Sequence, residues 1–424
     1  MLNAVLDGFI SNVVRTGNLR VTYANGKTKL YGGGVGKAVH MRFNSAKAER
    51  LLLWNPEFYL GHCYAEGMID LLEGDMYDLL EAVFTGAPDG QYEQKPWMKA
   101  IGKLRYKLRH LRENNVTSRS RKNVQHHYDL TGALYDLFLD SDRQYSCAYF
   151  ETPDADLEQA QLAKKRHIAA KMVMSRPGLS VLGCGWGGMA LYLARLLGAK
   201  VKGVTLSDEQ LAIAKKRAAD SGLADRLRFE LQDYRHVEEK FDRIVSVGMF
   251  EHVGRPFYDQ YFQQSAKLLK KDGVMLMHTI GRTDTPSTTN PFIEKYIFPG
   301  GYIPSMSEVM PAIERSGLKI TDIEILRLHY AETLRAWRGK FMARREEAKK
   351  LYDEKFCRIW EFYLASSESA FRWQNLVIFQ FQLAHDQQAV PLTRDYIMSA
   401  EAALRNIEQK QGVGAATFPQ QAAE

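Results

Sequence analysis

Cysteine is scarce in this chain: four in 424 residues, Cys63, Cys147, Cys184 and Cys357, with no C-x-x-C pair and no histidine at zinc-type spacing. That scarcity excludes a disulfide framework, predicts no metal site and suits a reducing, cytoplasmic compartment. Long apolar runs are also missing. Nothing approaches the roughly 18–20 consecutive apolar residues that span a bilayer, so any membrane contact is made peripherally, from one side. The amino terminus carries Asp7 and lacks the basic start and long apolar core of a signal peptide. Acidic residues fall short of basic ones, 50 against 57, for a net charge of +7. The imbalance favours an anionic partner, and composition alone leaves nucleic acid and anionic bilayer both open.

What is present is ordinary globular composition, 45% hydrophobic and 25% charged, which sets general disorder aside. At about 150 residues per domain the length predicts two or three units. Within residues 1–87, apolar positions alternate through Leu19-Arg20-Val21-Thr22-Tyr23 and Val39-His40-Met41-Arg42-Phe43, with Asn25-Gly26 as a hairpin signal. Helical patterning follows over 46–84, and Gly86, Pro88 and Gly90 mark a boundary. The reading is a small amino-terminal α+β domain. Residues 88–122 read as a basic linker: Ile101, Leu104, Leu108 and Leu111 fall at helical spacing among Lys99, Lys103, Arg105, Lys107, Arg109 and Arg112. Such a helix either meets anionic phospholipid or packs its leucines on the next domain.

Residues 123–405 read as the main domain, and from about 160 onward the pattern is βαβ. Strands are expected at 179–182, 200–204, 227–231, 243–247 and 274–278, with helices near 189–197, 208–221 and 257–271 between them. This alternation predicts an α/β domain with a mostly parallel sheet and helices on both faces. Later apolar runs at 319–326 and 376–383 could close the sheet, residues 330–369 look helical, and 406–424 read as a frayed tail. Gly183-Cys184-Gly185-Trp186-Gly187-Gly188 has G-x-G-x-x-G spacing directly after the first of these strands. A dinucleotide, an S-adenosylmethionine or a purely structural turn would all fit it. The second strand lacks the terminal acid that a dinucleotide's ribose would require, so hydride chemistry loses ground.

Seven ordered motifs narrow the choice: Val124-Gln125-His126-His127-Tyr128-Asp129, Tyr145-Ser146-Cys147-Ala148-Tyr149-Phe150, the glycine turn, Val204-Thr205-Leu206-Ser207, Asp233-Tyr234-Arg235, Glu251-His252-Val253-Gly254 and His278-Thr279-Ile280-Gly281. Together they resemble the cyclopropane fatty acid synthases over roughly residues 120–390, and the amino-terminal unit resembles the extra, lipid-binding domain of the phospholipid-acting members. The resemblance implies a class I methyltransferase fold and S-adenosylmethionine-dependent methylation of a cis double bond in an unsaturated phospholipid acyl chain. It also implies an anionic membrane surface rather than nucleic acid as partner, and a homodimer. Carried over residue by residue, it gives the methionine part of the cofactor to Gly183, Gly185 and Gly187. Thr205, Leu206, Ser207 and Gln210 take the ribose side, Asp233 and Tyr234 the adenine, and Tyr145 and Ser146 close over the whole. A bicarbonate ion as base would be held by Cys147, Glu251, His278, Ile280 (through its backbone) and Tyr330.

An alkene has no acidic proton to lose first, so such chemistry must align its π bond with the sulfonium methyl and exclude water. Attack leaves a carbocation, for which Tyr149, Phe150, Phe250 and Tyr296 are candidate aromatic neighbours. Loss of a proton from the new methyl group closes a ring; loss of a different proton leaves a methylated olefin. A lipid-binding relative without cofactor binding is the rival reading. It rests on the turn: the family places an acid and an apolar residue between the strand's Val-Leu and its Gly-Cys-Gly, whereas here Val181-Leu182 runs straight into Gly183. The strand end is therefore expected to fall about 6–7 Å short unless its start shifts.

Overall fold

The computed structural model describes residues 2–86, 132–183 and 185–413. The basic helix expected at 99–112, the Val124 to Asp129 motif and Cys184 lie outside the described residues. The chain divides into two compact units, one of residues 1–112, 287–299 and 334–376, the other of 113–286, 300–333 and 377–424.

The first unit carries a mixed four-stranded sheet of order β2-β1-β3-β4, with β1 Asn18–Thr22, β2 Thr28–Tyr31, β3 Ala38–Phe43 and β4 Ile69–Glu73. Leu19, Val21, Val39, Met41 and Phe43 are buried while their neighbours in sequence face outward, as the alternation predicts. Gly26, at a φ of 81°, turns the β1–β2 hairpin. The helical pattern expected over 46–84 is interrupted by β4, which pairs antiparallel with β3 between Gly67 and Gly74, both at positive φ. Helices Ala46–Trp54, Pro56–Ala65 and Met76–Phe84 remain on either side, the last started by a capping box between Asp75 and Asp78. Tyr296 belongs to this unit, where its hydroxyl lies 2.8 Å from His62 Nδ1.

The second unit is a seven-stranded sheet of order β10-β11-β9-β8-β5-β6-β7. Its strands are β5 Ser180–Gly183, β6 Lys200–Thr205, β7 Leu227–Leu231, β8 Phe241–Val247, β9 Leu269–Arg282, β10 Lys319–Leu326 and β11 Leu376–Ala384. β5 to β9 pair parallel, and β10 runs antiparallel to β11. One core packs helices Tyr258–Leu268 and Met306–Ser316 against the sheet around Phe250, Phe262, Met275 and Phe379. A second core, around Ile168, Leu193, Val201 and Leu276, is covered by helices Leu157–Lys171, Gly188–Leu197 and Asp395–Lys410. This is the class I methyltransferase architecture, with helices on both faces.

Three boundaries differ from expectation. The helix expected over 257–271 stops at Leu268, because Leu269 turns extended, pairs with Phe241 and is buried; pairing and burial outweigh the polar run Lys270-Lys271-Asp272. The tail begins later than 406: Asp395–Lys410 is one helix, and buried Glu408 holds Arg166 at 2.7 Å and the Tyr192 hydroxyl at 2.6 Å. Finally, β5 is the four residues Ser180–Gly183, one position later than the expected 179–182. Gly183 enters the strand opposite Gly203 of β6, and a side chain there would press on Val245 Cγ1 at 2.9 Å.

Candidate active site

The carboxyl ends of the parallel strands gather most of the predicted residues, as an open α/β sheet requires. After β5, Gly185 (φ 105°) and Gly187 (φ 86°) take backbone conformations that side chains resist, and Gly187 starts the helix Gly188–Leu197. A side chain on Gly188 would run into Asp142 and Gln144. The adjoining cavity is walled by Tyr145, Ser146, Gly185, Trp186, Gly188 and Gln210, and by Lys164. Lys164 is buried, with Nζ 2.7 Å from Ser146 Oγ and 2.8 Å from Gln144 Oε1; burial pulls its ammonium down to about 8. No sequence signal singled it out.

At the end of β6 the Thr205 hydroxyl donates to Gln210 Oε1 at 2.8 Å and accepts from Ser207 N–H at 3.1 Å. Ser207 Oγ caps the helix Asp208–Asp220. Leu206, between them, is half-buried. At the end of β7 the carboxylate of Asp233 grips Arg235 at 2.6 Å; burial opposes its charge, yet that guanidinium holds the carboxyl below its usual range. Tyr234 meets Tyr261 edge to face at 5.5 Å. Thr205, Leu206, Asp233 and Tyr234 are not part of the cavity wall.

A second cluster forms where β8 and β9 end. Glu251 sits in the short turn Phe250–His252 after β8, and its Oε1 accepts the Ile280 N–H of β9 at 2.6 Å. Its other oxygen, Oε2, is buried and finds no hydrogen-bond partner among the described residues. Burial pushes this carboxyl up to about 7. His278, two residues before Ile280, lies with Nδ1 3.2 Å from Gln380 Nε2 of β11, while its own Nε2 is buried and, like Gln380 Oε1, has no partner among the described residues. With the amide donating to Nδ1, the His278 proton resides on Nε2. Burial, reinforced by the charges of Lys164 and His167, pushes this imidazole down to about 3. The cluster therefore offers one neutral N–H donor and one carboxyl poised between charge states. Ile280 contributes its N–H by holding Glu251. Gln380 was missed, although a glutamine inside the apolar run of β11 was a signal.

Cys147 and Tyr330 lie on segments joined by a hydrogen bond between their neighbours Ala148 and Thr333. Cys147 is 1% exposed, and burial pushes its thiol well up, so it stays a thiol. The next N–H, from Ala148, bonds Thr333 Oγ1 at 3.0 Å, one turn after buried Tyr330 on the helix His329–Ala343. Of the aromatic candidates, Tyr149 has both ring faces covered, by His167 with centroids 4.2 Å apart and by His329 at 5.0 Å. It has no face left for a cation. Phe250 is fully buried against Tyr258, at 4.3 Å.

Residues 115–381 match the family model described as mycolic acid cyclopropane synthetase, and residues 5–92 match a domain of unknown function. A probable fatty acid methyltransferase of Pseudomonas putida is 36% identical over 334 residues, 75% of this chain and 80% of that protein. The cyclopropane-fatty-acyl-phospholipid synthase of Escherichia coli K12 is 41% identical over 270 residues, 63% of this chain and 69% of its own length. Among solved structures, the cyclopropane synthase MmaA2 of Mycobacterium tuberculosis superposes with a TM-score of 0.60 at 33% identity, over 62% of this chain and 98% of that one. The mycolic acid cyclopropane synthase CmaA1, complexed with SAH and CTAB, gives 0.59 at 34% identity, over 62% and 97%.

Proposed function

We propose, for a chain that belongs to the mycolic acid cyclopropane synthetase family and is an S-adenosylmethionine-dependent C-methyltransferase of that type, that it converts the cis double bond of an unsaturated phospholipid acyl chain into a cyclopropane ring. The observation that carries this reading is the buried pair of open polar atoms, Glu251 Oε2 and His278 Nε2. Evolved cores rarely leave such atoms unsatisfied, because each costs about 1–3 kcal/mol. They are accounted for when a small polar anion completes them.

Bicarbonate fits the donor set. It can accept the His278 N–H and share a proton with the Glu251 carboxyl, whose position near 7 suits either charge state. When bound, it supplies a base that a sulfonium ion alkylates less readily than a bare carboxylate. The remaining work belongs to the chain. Tyr145, Ser146, the glycine turn and Gln210 hold S-adenosylmethionine, with Thr205, Leu206, Ser207, Asp233 and Tyr234 toward its nucleoside end. The alkene π electrons form a carbon–carbon bond to the methyl group as the carbon–sulfur bond breaks, leaving a cation on the acyl chain. Loss of a proton from the new methyl group then closes the ring. Ile280 N–H keeps Glu251 aimed, Gln380 fixes the His278 tautomer, and buried Cys147 and Tyr330 exclude water from the same region. The net positive charge and the basic stretch at 99–112 favour an anionic bilayer as the surface from which lipid is taken.

Incubating the chain with unsaturated phospholipid vesicles and S-adenosylmethionine tests this. Acyl chains heavier by one CH2 and lacking an alkene are expected by mass spectrometry and NMR. Unchanged acyl chains, or heavier ones that keep the double bond, would overturn it.

A further inference from the structure

The second unit contains a stack the reaction does not obviously need. The Tyr149 ring lies between two imidazoles, nearly parallel to both, at 4° to His167 and 6° to His329. His167 is buried with Nδ1 2.6 Å from Glu401 and Nε2 2.8 Å from Glu324. A neutral imidazole can donate only once, so two carboxylates on one ring define an imidazolium. At the other end, His329 Nδ1 accepts the Phe150 N–H at 3.0 Å, which requires His329 to be neutral with its proton on Nε2. His329 is followed directly by Tyr330. Tyr149 is preceded by Ala148, bonded to Thr333, and by Cys147. The stack thus joins the strip 147–150 to the first turn of the helix that carries Tyr330.

We infer that His167, Tyr149 and His329 form a protonation-dependent clasp, whose task is to hold Cys147 and Tyr330 in register for the methyl-transfer step. These are positioning residues: none of them is placed against substrate. The inference rests on the proposed reaction for its kinetic consequence, and on the geometry alone for the clasp itself.

The clasp is closed when His167 is charged and His329 is not. His167 faces Glu324 on β10, Glu401 on the helix Asp395–Lys410, Lys171 on its own helix and the Tyr149 ring. Burial and Lys171 work against its charge, but the two carboxylates prevail and raise it above the usual histidine range. Its contribution is present at low pH and is lost as pH rises through the raised value. His329 faces Glu324, His167 and Arg327; burial keeps it below the usual range, so its contribution is lost as pH falls through the lowered value. The clasp opens at both ends of the pH scale.

The test pairs kinetics with hydrogen exchange. In Tyr149→Leu and His329→Leu, kcat should fall about tenfold or more while KM for lipid and the S-adenosylmethionine Kd change little. The Ala148 and Phe150 amides of the unliganded protein should exchange about tenfold faster. Tyr149→Phe, which keeps the ring, should restore both. In His167→Met the loss of kcat at alkaline pH, expected in the unsubstituted chain, should disappear. Unaltered amide exchange in Tyr149→Leu, a kcat within about twofold, or Tyr149→Phe failing as badly as Tyr149→Leu would each overturn the clasp. If the unsubstituted chain transfers no methyl group to acyl lipid, the proposed reaction fails, and the exchange measurements alone decide the clasp.

Discussion

Two buried polar clusters sit in the unit of the seven-stranded sheet, and they are finished to different degrees. Around His167 every charge is answered: Glu401 and Glu324 hold the imidazole, while Lys171 lies 2.9 Å from Glu324 and 3.0 Å from Asp322. Around Glu251 the opposite holds, with Glu251 Oε2, His278 Nε2 and Gln380 Oε1 all buried and without partners among the described residues. A saturated network specifies shape, and an open one specifies a guest. The contrast teaches which buried charges to read as scaffold and which as chemistry, something burial alone does not reveal.

Substitutions should separate the two kinds. The largest effect is expected from Glu251→Gln, which keeps the shape and the Ile280 contact but removes the charge: turnover should fall about 10²- to 10⁴-fold. Calorimetry should find S-adenosylmethionine binding nearly unchanged, and equal loss of both would contradict the assignment. Next, Lys171→Met in the saturated cluster should cost about 3 kcal/mol of stability, read as a lower denaturation midpoint, because it strands two carboxylates. The reverse sign is expected on the open side. Burial pushes the Glu251 carboxyl up to about 7 from the ordinary 4.5, so its presence favours folding in the protonated form and this advantage is lost as pH rises through 7. Glu251→Gln should therefore stabilise the protein at pH 8, by up to about 3 kcal/mol, and have little effect on stability at pH 4, as thermal midpoints at the two pH values would show. The smallest change belongs to Gln380→Leu, which frees the His278 ring: about a tenfold loss of turnover, the worth of one hydrogen bond, with stability hardly moved.

Much of the frame was legible because the inner strands of a covered parallel sheet read as short apolar runs; β6 and β8 fall within two residues of where the sequence puts them. The strand β4 was not, since five residues between helices carry too little pattern, although the glycines on either side were a signal. β9 begins early because cross-strand pairing to Phe241, invisible in one sequence, decides Leu269. The site divides likewise. Glu251, His278 and the glycine turn stood out as motifs at strand ends. His167, Glu324, Lys171 and Glu401 did not, because each looks like a solvated helix or strand charge until the fold places them together.

Those same contacts carry a consequence for synthesis. His167 meets its partner Glu401 across 234 residues of chain, so no amino-terminal fragment that stops before Glu401 can complete the arrangement. A nascent polypeptide that has not yet reached the helix Asp395–Lys410 would carry the glycine turn, Glu251 and His278, yet lack the piece that holds His167. Competence would then wait for that helix to dock, when the methyl-transferring machinery becomes whole at once.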